Sequence, residues 1–161
     1  MRARLGVNNC FAVKRWPRPD DWAQIVRDEL GLDIVELSLD LVEDIDSPGG
    51  RERAAGQIRS ALGRHGLRAE TVFTGLAAYS LNLLIHPDDT RRRAAVDWYE
   101  EVVDLAARVG ARGAGGHVGA EDVLLVLEVI PAFEQDDEQV LAELRTSAEL
   151  WKAALTERGV R

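Results

Sequence analysis

The sequence predicts an α/β fold with a largely parallel sheet, on three observations. Short runs with strand character alternate with longer runs whose apolar residues recur at helical spacing. Gly31, Gly66 and Gly110 each close one of the longer runs, where a residue at ease in left-handed backbone ends a helix. The run 122–130, DVLLVLEVI, is almost wholly apolar and rich in Val and Leu, as a parallel strand covered on both faces is. The 161 residues, with no linker or low-complexity stretch, suit a single domain, 1–161.

Leu5, Gly6 and Val7 form a short first strand ahead of Asn8 and Asn9. Prolines and acidic residues between Pro17 and Asp21 open a helix, because the first turn tolerates a missing N–H and favours negative charge. Trp22, Ile25, Val26 and Leu30 give it an apolar face. The second strand covers 34–39, with Val35, Leu37, Leu39 and Leu41 alternating with Glu36, Ser38 and Asp40. A turn at 47–50 precedes a helix over 51–65, with Ala54, Ile58, Ala61 and Leu62 inward. The third strand covers 69–74 and ends at Gly75; 76–87 reads as a long loop. Asp88 and Asp89 start a helix that reaches about Val109, its stripe being Ala95, Val96, Tyr99, Val102, Val103 and Ala106. After the apolar strand at 122–130, Pro131 stops the chain. A last helix then covers 136–158, with Val140, Leu141, Leu144, Ala148, Trp151 and Leu155 inward.

One junction breaks the alternation. Only Ala120 and Glu121 separate the small-residue strand or strand-like loop at 111–119 from the strand at 122–130. Parallel neighbours in one sheet need a crossover of about a dozen residues or more. The spacing leaves a hairpin, a bend or one continuous kinked strand.

Charge and composition exclude several classes. Twenty Lys and Arg against 28 Asp and Glu give a net charge of −8, which opposes nucleic-acid binding. Cys10 is the single cysteine, so no internal disulfide can form and a reducing cytoplasm fits. Cys10 itself reads as a small buried apolar residue. No run approaches the length of a membrane span, and the N-terminus lacks the apolar core of a signal peptide. GARGAGGHVG has Val118 where a third glycine of a dinucleotide loop would stand, and no G-K-S/T occurs; no nucleotide site is expected.

Four blocks carry a family likeness: GVNNCFAVKRW at 6–16, VELSLDL at 35–41, the long block 71–120 that ends in GARGAGGHVGA, and LLVLEVIPAFEQDDEQVLAEL at 124–144. Together they resemble sugar phosphate isomerase/epimerase proteins of the xylose-isomerase-like TIM-barrel superfamily, with tetrulose (erythrulose) phosphate isomerases nearest. Residues 1–120 resemble barrel units one to four, and 122–161 the last unit. The resemblance therefore implies an incomplete (βα) barrel of about five strands, with strands five to seven missing at the junction near 119–122.

The same resemblance assigns roles. Such barrels hold a divalent cation at the mouth, and the last-strand carboxylate among its ligands falls on Glu128, which would also serve as a proton-transfer base. His117, in GGHVG, matches a fourth-strand histidine of related barrels. Glu36 and Asp40, on one face of the second strand with Ser38, would contact substrate hydroxyls; a salt bridge to a neighbouring strand or loop is the competing reading. Lys14 and Arg15 would bind a phosphate, against the reading of a solvated charged loop. Arg91, Arg92 and Arg93 beside Asp88 and Asp89 read as surface ion pairing, and His86 as a loop cap.

The activity implied is metal-assisted isomerisation or epimerisation of a small ketose phosphate by proton transfer through an enediolate. The alternative is a catalytically inactive, internally deleted remnant. A partial barrel leaves sheet edges unpaired, so a homo-oligomer is expected, with a small sugar phosphate as ligand and neither nucleic acid nor membrane as partner.

Overall fold

The computed structural model describes residues 4–75, 78, 84, 88–115, 124–127 and 136–157. Its elements run β1 (Arg4–Asn8), α1 (Pro19–Gln24), β2 (Ile34–Ser38), α2 (Pro48–His65), β3 (Arg68–Phe73), α3 (Asp89–Val109), β4 (Gly113–Ala114), β5 (Leu124–Leu127) and α4 (Asp137–Glu157). The strands make one sheet in the order β4-β3-β2-β1-β5, and every pairing is parallel. This is the five-stranded parallel α/β arrangement that the sequence predicts. β5 lies along β1, with Arg4 level with Leu124 and Val7 with Leu127. β4 and β5 thus occupy opposite edges. A hairpin and a single kinked strand are both ruled out, and the junction is no crossover between neighbours. Residues 116–123 lie outside the described part.

Helix α1 starts with Pro19 in its first turn, beside Asp20 and Asp21. It continues into a wider π-helical segment, Ile25–Glu29, and stops at Gly31, whose φ is +60°. Trp22, Ile25, Val26 and Leu30 are all buried against the sheet. Helix α2 begins three residues earlier than its apolar pattern indicates. Ser47 caps it by accepting the Gly50 N–H at 2.9 Å, and the turn residues Pro48, Gly49 and Gly50 are its first turn. Ala55, not Ala54, joins Ile58, Ala61 and Leu62 in the core. A Cβ on Gly50 would sit 2.1 Å from the Asp44 carbonyl oxygen and 2.6 Å from Ser47 Oγ. Gly50→Ala is therefore expected to displace the cap and cost about 0.5–2 kcal/mol, the usual range for a lost N-cap; thermal unfolding checks it.

Helix α3 is capped by Asp88, which accepts the N–H groups of Thr90 and Arg91, and Gly110 ends it at φ +80°. Arg92 pairs with Asp89 at the surface. Its buried face is Ala95, Val102, Leu105, Ala106 and Val109. Val96 and Val103, expected inward, are 47% and 57% exposed. The helix is turned so that Glu101 and Asp104 meet Arg51 of α2, and Arg108 meets Glu52; that contact fixes which side faces the core. In α4, Val140, Leu144 and Ala148 are buried as expected, but Trp151 is 46% exposed. Leu155 lies outside what the structure describes of side chains.

The sheet has two unlike faces. Val7, Val35, Leu37, Ala69 and Val72 join the helices' apolar residues in one core. Gly6, Ile34, Asn8 and Glu36 alternate with them onto the opposite face. There a Cβ on Gly6 would lie 2.9 Å from Ile34 Cγ2. In β3 the register steps from Val35↔Ala69 to Glu36↔Thr71 and leaves Glu70 as an extra residue. This β-bulge re-aims the strand. Thr71 joins Glu36 on the polar face while Val72 returns to the core.

Candidate functional site

The polar face gathers hydrogen-bonding groups towards the C-terminal ends of β1, β2 and β3. Asn8 donates through Nδ2 to Glu36 Oε2 at 2.9 Å, and Thr71 Oγ1 donates to Glu36 Oε1 at 2.7 Å. One carboxylate thereby bridges three strands. Asn8 Oδ1 accepts the Cys10 N–H at 2.8 Å and caps the 3-10 turn Asn9–Ala12, which fixes the orientation of the amide. Asn9 Oδ1 accepts the Ser38 N–H at 2.6 Å and ties that turn to the end of β2. A carboxylate has about four acceptor sites. Glu36 uses two of them on these neighbours, and the residue is only half-buried. The remaining capacity is open to a hydroxyl donor.

Asp40 is not on the strand. β2 ends at Ser38, whose hydroxyl donates to Asp40 Oδ2 at 2.8 Å and accepts the Asp40 N–H at 3.4 Å. This local serine contact gives the backbone an alternative to the ladder, and the chain turns into the 3-10 segment Leu39–Leu41. The turn lays the Asp40 carboxylate over Gly75, where a Cβ would come within 2.7 Å of Oδ1 and φ is +86°. Asp40 thus reaches the end of β3, one strand further than an extended β2 would carry it.

Lys14 and Arg15 follow β1 in the same loop, and they part company. Lys14 is exposed and held at φ +64°, left-handed backbone that is uncommon outside glycine. Arg15, with a side chain only 10% exposed, pairs with Asp137 in the first turn of α4. Glu128, His117 and His86 lie outside the described residues. Cys10 is buried, as its reading as a core residue requires.

Sequence reasoning passed over Asn8, Asn9 and Thr71. The Asn8-Asn9 pair directly after an apolar strand was a usable signal, since buried amides at a strand end need partners. The adjacent polar pair Glu70-Thr71 inside an otherwise apolar strand was another, because it breaks period-two alternation.

Among the described residues, no three His, Cys, Asp or Glu side chains converge as a cation site. Divalent ions bound through oxygen want several ligands, and the described residues bring no such set together. The described residues do not fit a metal centre. A buried charge cluster lies at the other end of the strands. Glu70, buried, receives Arg4 Nη2 and Arg112 Nη1, each at 2.8 Å, with Arg68 3.9 Å away.

An open parallel sheet with helices on one face and polar groups converging at the strand ends on the other is part of a (βα) barrel. No family model matches the chain. D-erythrulose 1-phosphate 3-epimerase from Brucella abortus is 29% identical over 115 residues, covering 71% of this chain and 37% of that protein. A crystal structure from Rhodospirillum rubrum, of a protein classed as a xylose isomerase, superposes with a TM-score of 0.66 at 30% identity over 92% of this chain and 48% of that one. 3-Keto-D-glucoside 4-epimerase from Escherichia coli, at 13% identity, shares the fold, with a TM-score of 0.53 over 99% of this chain and 54% of that one. The chain has the fold of part of a xylose-isomerase-like barrel and is similar in sequence to a sugar phosphate epimerase; it spans about half the length of the structures it matches and 37% of the curated relative. Among the described residues, no helix is long and apolar enough to cross a membrane.

Proposed function

We propose that the chain takes a small ketose phosphate and exchanges a proton at a carbon next to its carbonyl, through an enediolate, as an isomerase or epimerase. The observation that carries this reading is Glu36, half-buried on the polar face, anchored by Asn8 and Thr71 and still able to accept. The likeness to a tetrulose phosphate epimerase supports it. Glu36 and Asp40 would accept sugar hydroxyls. Lys14 and Arg15 would meet the phosphate, Arg15 by exchanging its pair with Asp137 for it. Glu128 would remove and return the proton, with His117 beside the substrate. Because the described residues do not fit a cation, no step is derived through one.

The test is proton exchange in deuterated buffer with a tetrulose phosphate, with and without added Mg²⁺ or Mn²⁺. The expected result is deuterium uptake next to the carbonyl above the buffer rate, abolished by Glu128→Gln. No uptake by protein shown to be folded would overturn the reading.

A second reading, an inactive remnant of such an enzyme, is favoured by the place of β5. In a closed barrel the strand beside the first, opposite the second, is the last, and that is where β5 lies. On this reading β1 to β4 are units one to four, β5 with α4 is the final unit, and three strands are missing between the edges. A folded chain without turnover is its expected signature.

A further inference from the structure

We propose that two copies of this chain join edge to edge about a two-fold axis parallel to the strands, each β4 edge and α3 flank meeting the partner's β5 edge and α4 flank. Four of the five large apolar residues exposed in the described part fall on the two end helices of the helical layer: Val96 and Val103 on α3, Leu150 and Trp151 on α4. On α3 the side towards α2 carries Glu101, Asp104 and Arg108. At about 100° per residue, Val96 and Val103 share the opposite flank. On α4 the side towards α1 carries Arg145, paired with Glu29, and Lys152, which donates to the Leu30 carbonyl. Leu150 faces away from both by the same arithmetic. Each apolar flank therefore points beyond the end of the layer, on the side where the sheet also ends.

The occupant that fits both ends is a second copy. β4 and β5 run in one direction, so the stated axis adds a parallel strand to each edge. It keeps all helices outside and leaves no edge open, the outcome that closed symmetry provides. The two end helices are also alike in length. Both helices have 21 residues and return against the direction of the strands, as βα units require. Val103 is the fifteenth residue of α3 and Leu150 the fourteenth of α4; Trp151 follows the phase of Leu144 and Ala148 and stands at the end of the buried face. The ring of ten strands would enclose two sets of Asn8, Glu36 and Thr71. The inference rests on the place of β5 and reads mass rather than turnover, so its failure and that of the catalytic reading are separable.

Sedimentation velocity with the full chain tests it. The wild type is expected at twice 17.8 kDa. Val103→Glu and Leu150→Lys should each give a monomer with an unchanged circular dichroism spectrum, and the double variant should regain the dimer through the new opposite charges. Independently, a mixture of Val103→Cys and Leu150→Cys chains should form a mixed disulfide, while neither chain alone should do so as readily. A wild-type monomer at about 100 µM, where a complex of micromolar affinity is saturated, would overturn the proposal. So would a dimer indifferent to both single charges, or a double variant that stays monomeric.

Discussion

Glu70→Ala is expected to lower the unfolding free energy by about 3 kcal/mol near neutral pH, the low end of the cost of breaking a buried ion pair. The Glu70 side chain is 8% exposed and its Oε1 accepts from both Arg4 and Arg112. Burial alone would raise the carboxyl; the hydrogen bond from Arg112, the positive charge and hydrogen bond of Arg4, and the charge of Arg112 together outweigh it and hold the group below the usual carboxylate range. The low end applies because the arginines left behind are partly exposed and can turn to water. A carboxyl lowered in the folded state stabilises it fully above the unfolded value of about 4.3, and that contribution fades as pH falls through the folded value. Urea unfolding at pH 7 and at about pH 3 checks both parts. Wild type and variant should differ most at the higher pH and converge in acid. A constant difference would mean that the loss is one of packing rather than charge.

Glu36→Ala is expected to cost about 2–3 kcal/mol, because it strips two donors of their acceptor at once. Asn8 is almost completely buried, so its Nδ2 has little access to water in compensation. Thr71 is half-buried and its hydroxyl recovers part of what it loses. Thr71→Val should cost about 1 kcal/mol on its own, and the double variant less than the sum of the two, since both remove the same bond. Chemical unfolding of the four proteins gives the coupling. Strict additivity would show that the Thr71 to Glu36 bond contributes nothing to holding β2 and β3 together.

Much of the scaffold was legible from local chemistry. Gly31, Gly66 and Gly110 stop their helices in left-handed backbone, Asp88 caps α3, and the first three strands lie where their apolar residues place them. Glu36 was singled out by its position in β2, but its partners were not. Thr71 reaches it only because the bulge at Glu70 reverses the alternation of β3, and a period-two pattern has no means of announcing a reversal. Asp40 was assigned to the strand because its spacing from Glu36 and Ser38 continued the alternation; the Ser38 hydroxyl ends the strand first. The inward stripe of α3 was misplaced at Val96 and Val103 for another reason. Helical periodicity says that a helix has an apolar side, while the arginine and carboxylate contacts with α2 decide how far that side is rotated. The direction of β5 and its place beside β1 depend on pairing between residues some 120 apart in the chain, which no local pattern encodes.

Arg15 with Asp137, Glu29 with Arg145 and the Leu30 carbonyl with Lys152 join positions 116 to 122 residues apart. Contacts of such separation form late, because a long loop must close before they are rewarded. During synthesis at the ribosome, β1 and α1 emerge before α4 and wait for it. Until α4 arrives, the end of the π-helical segment that follows α1 is bare where Arg145 and Lys152 meet it, and a newly made chain is open there to proteases and to chaperones that seize apolar surface.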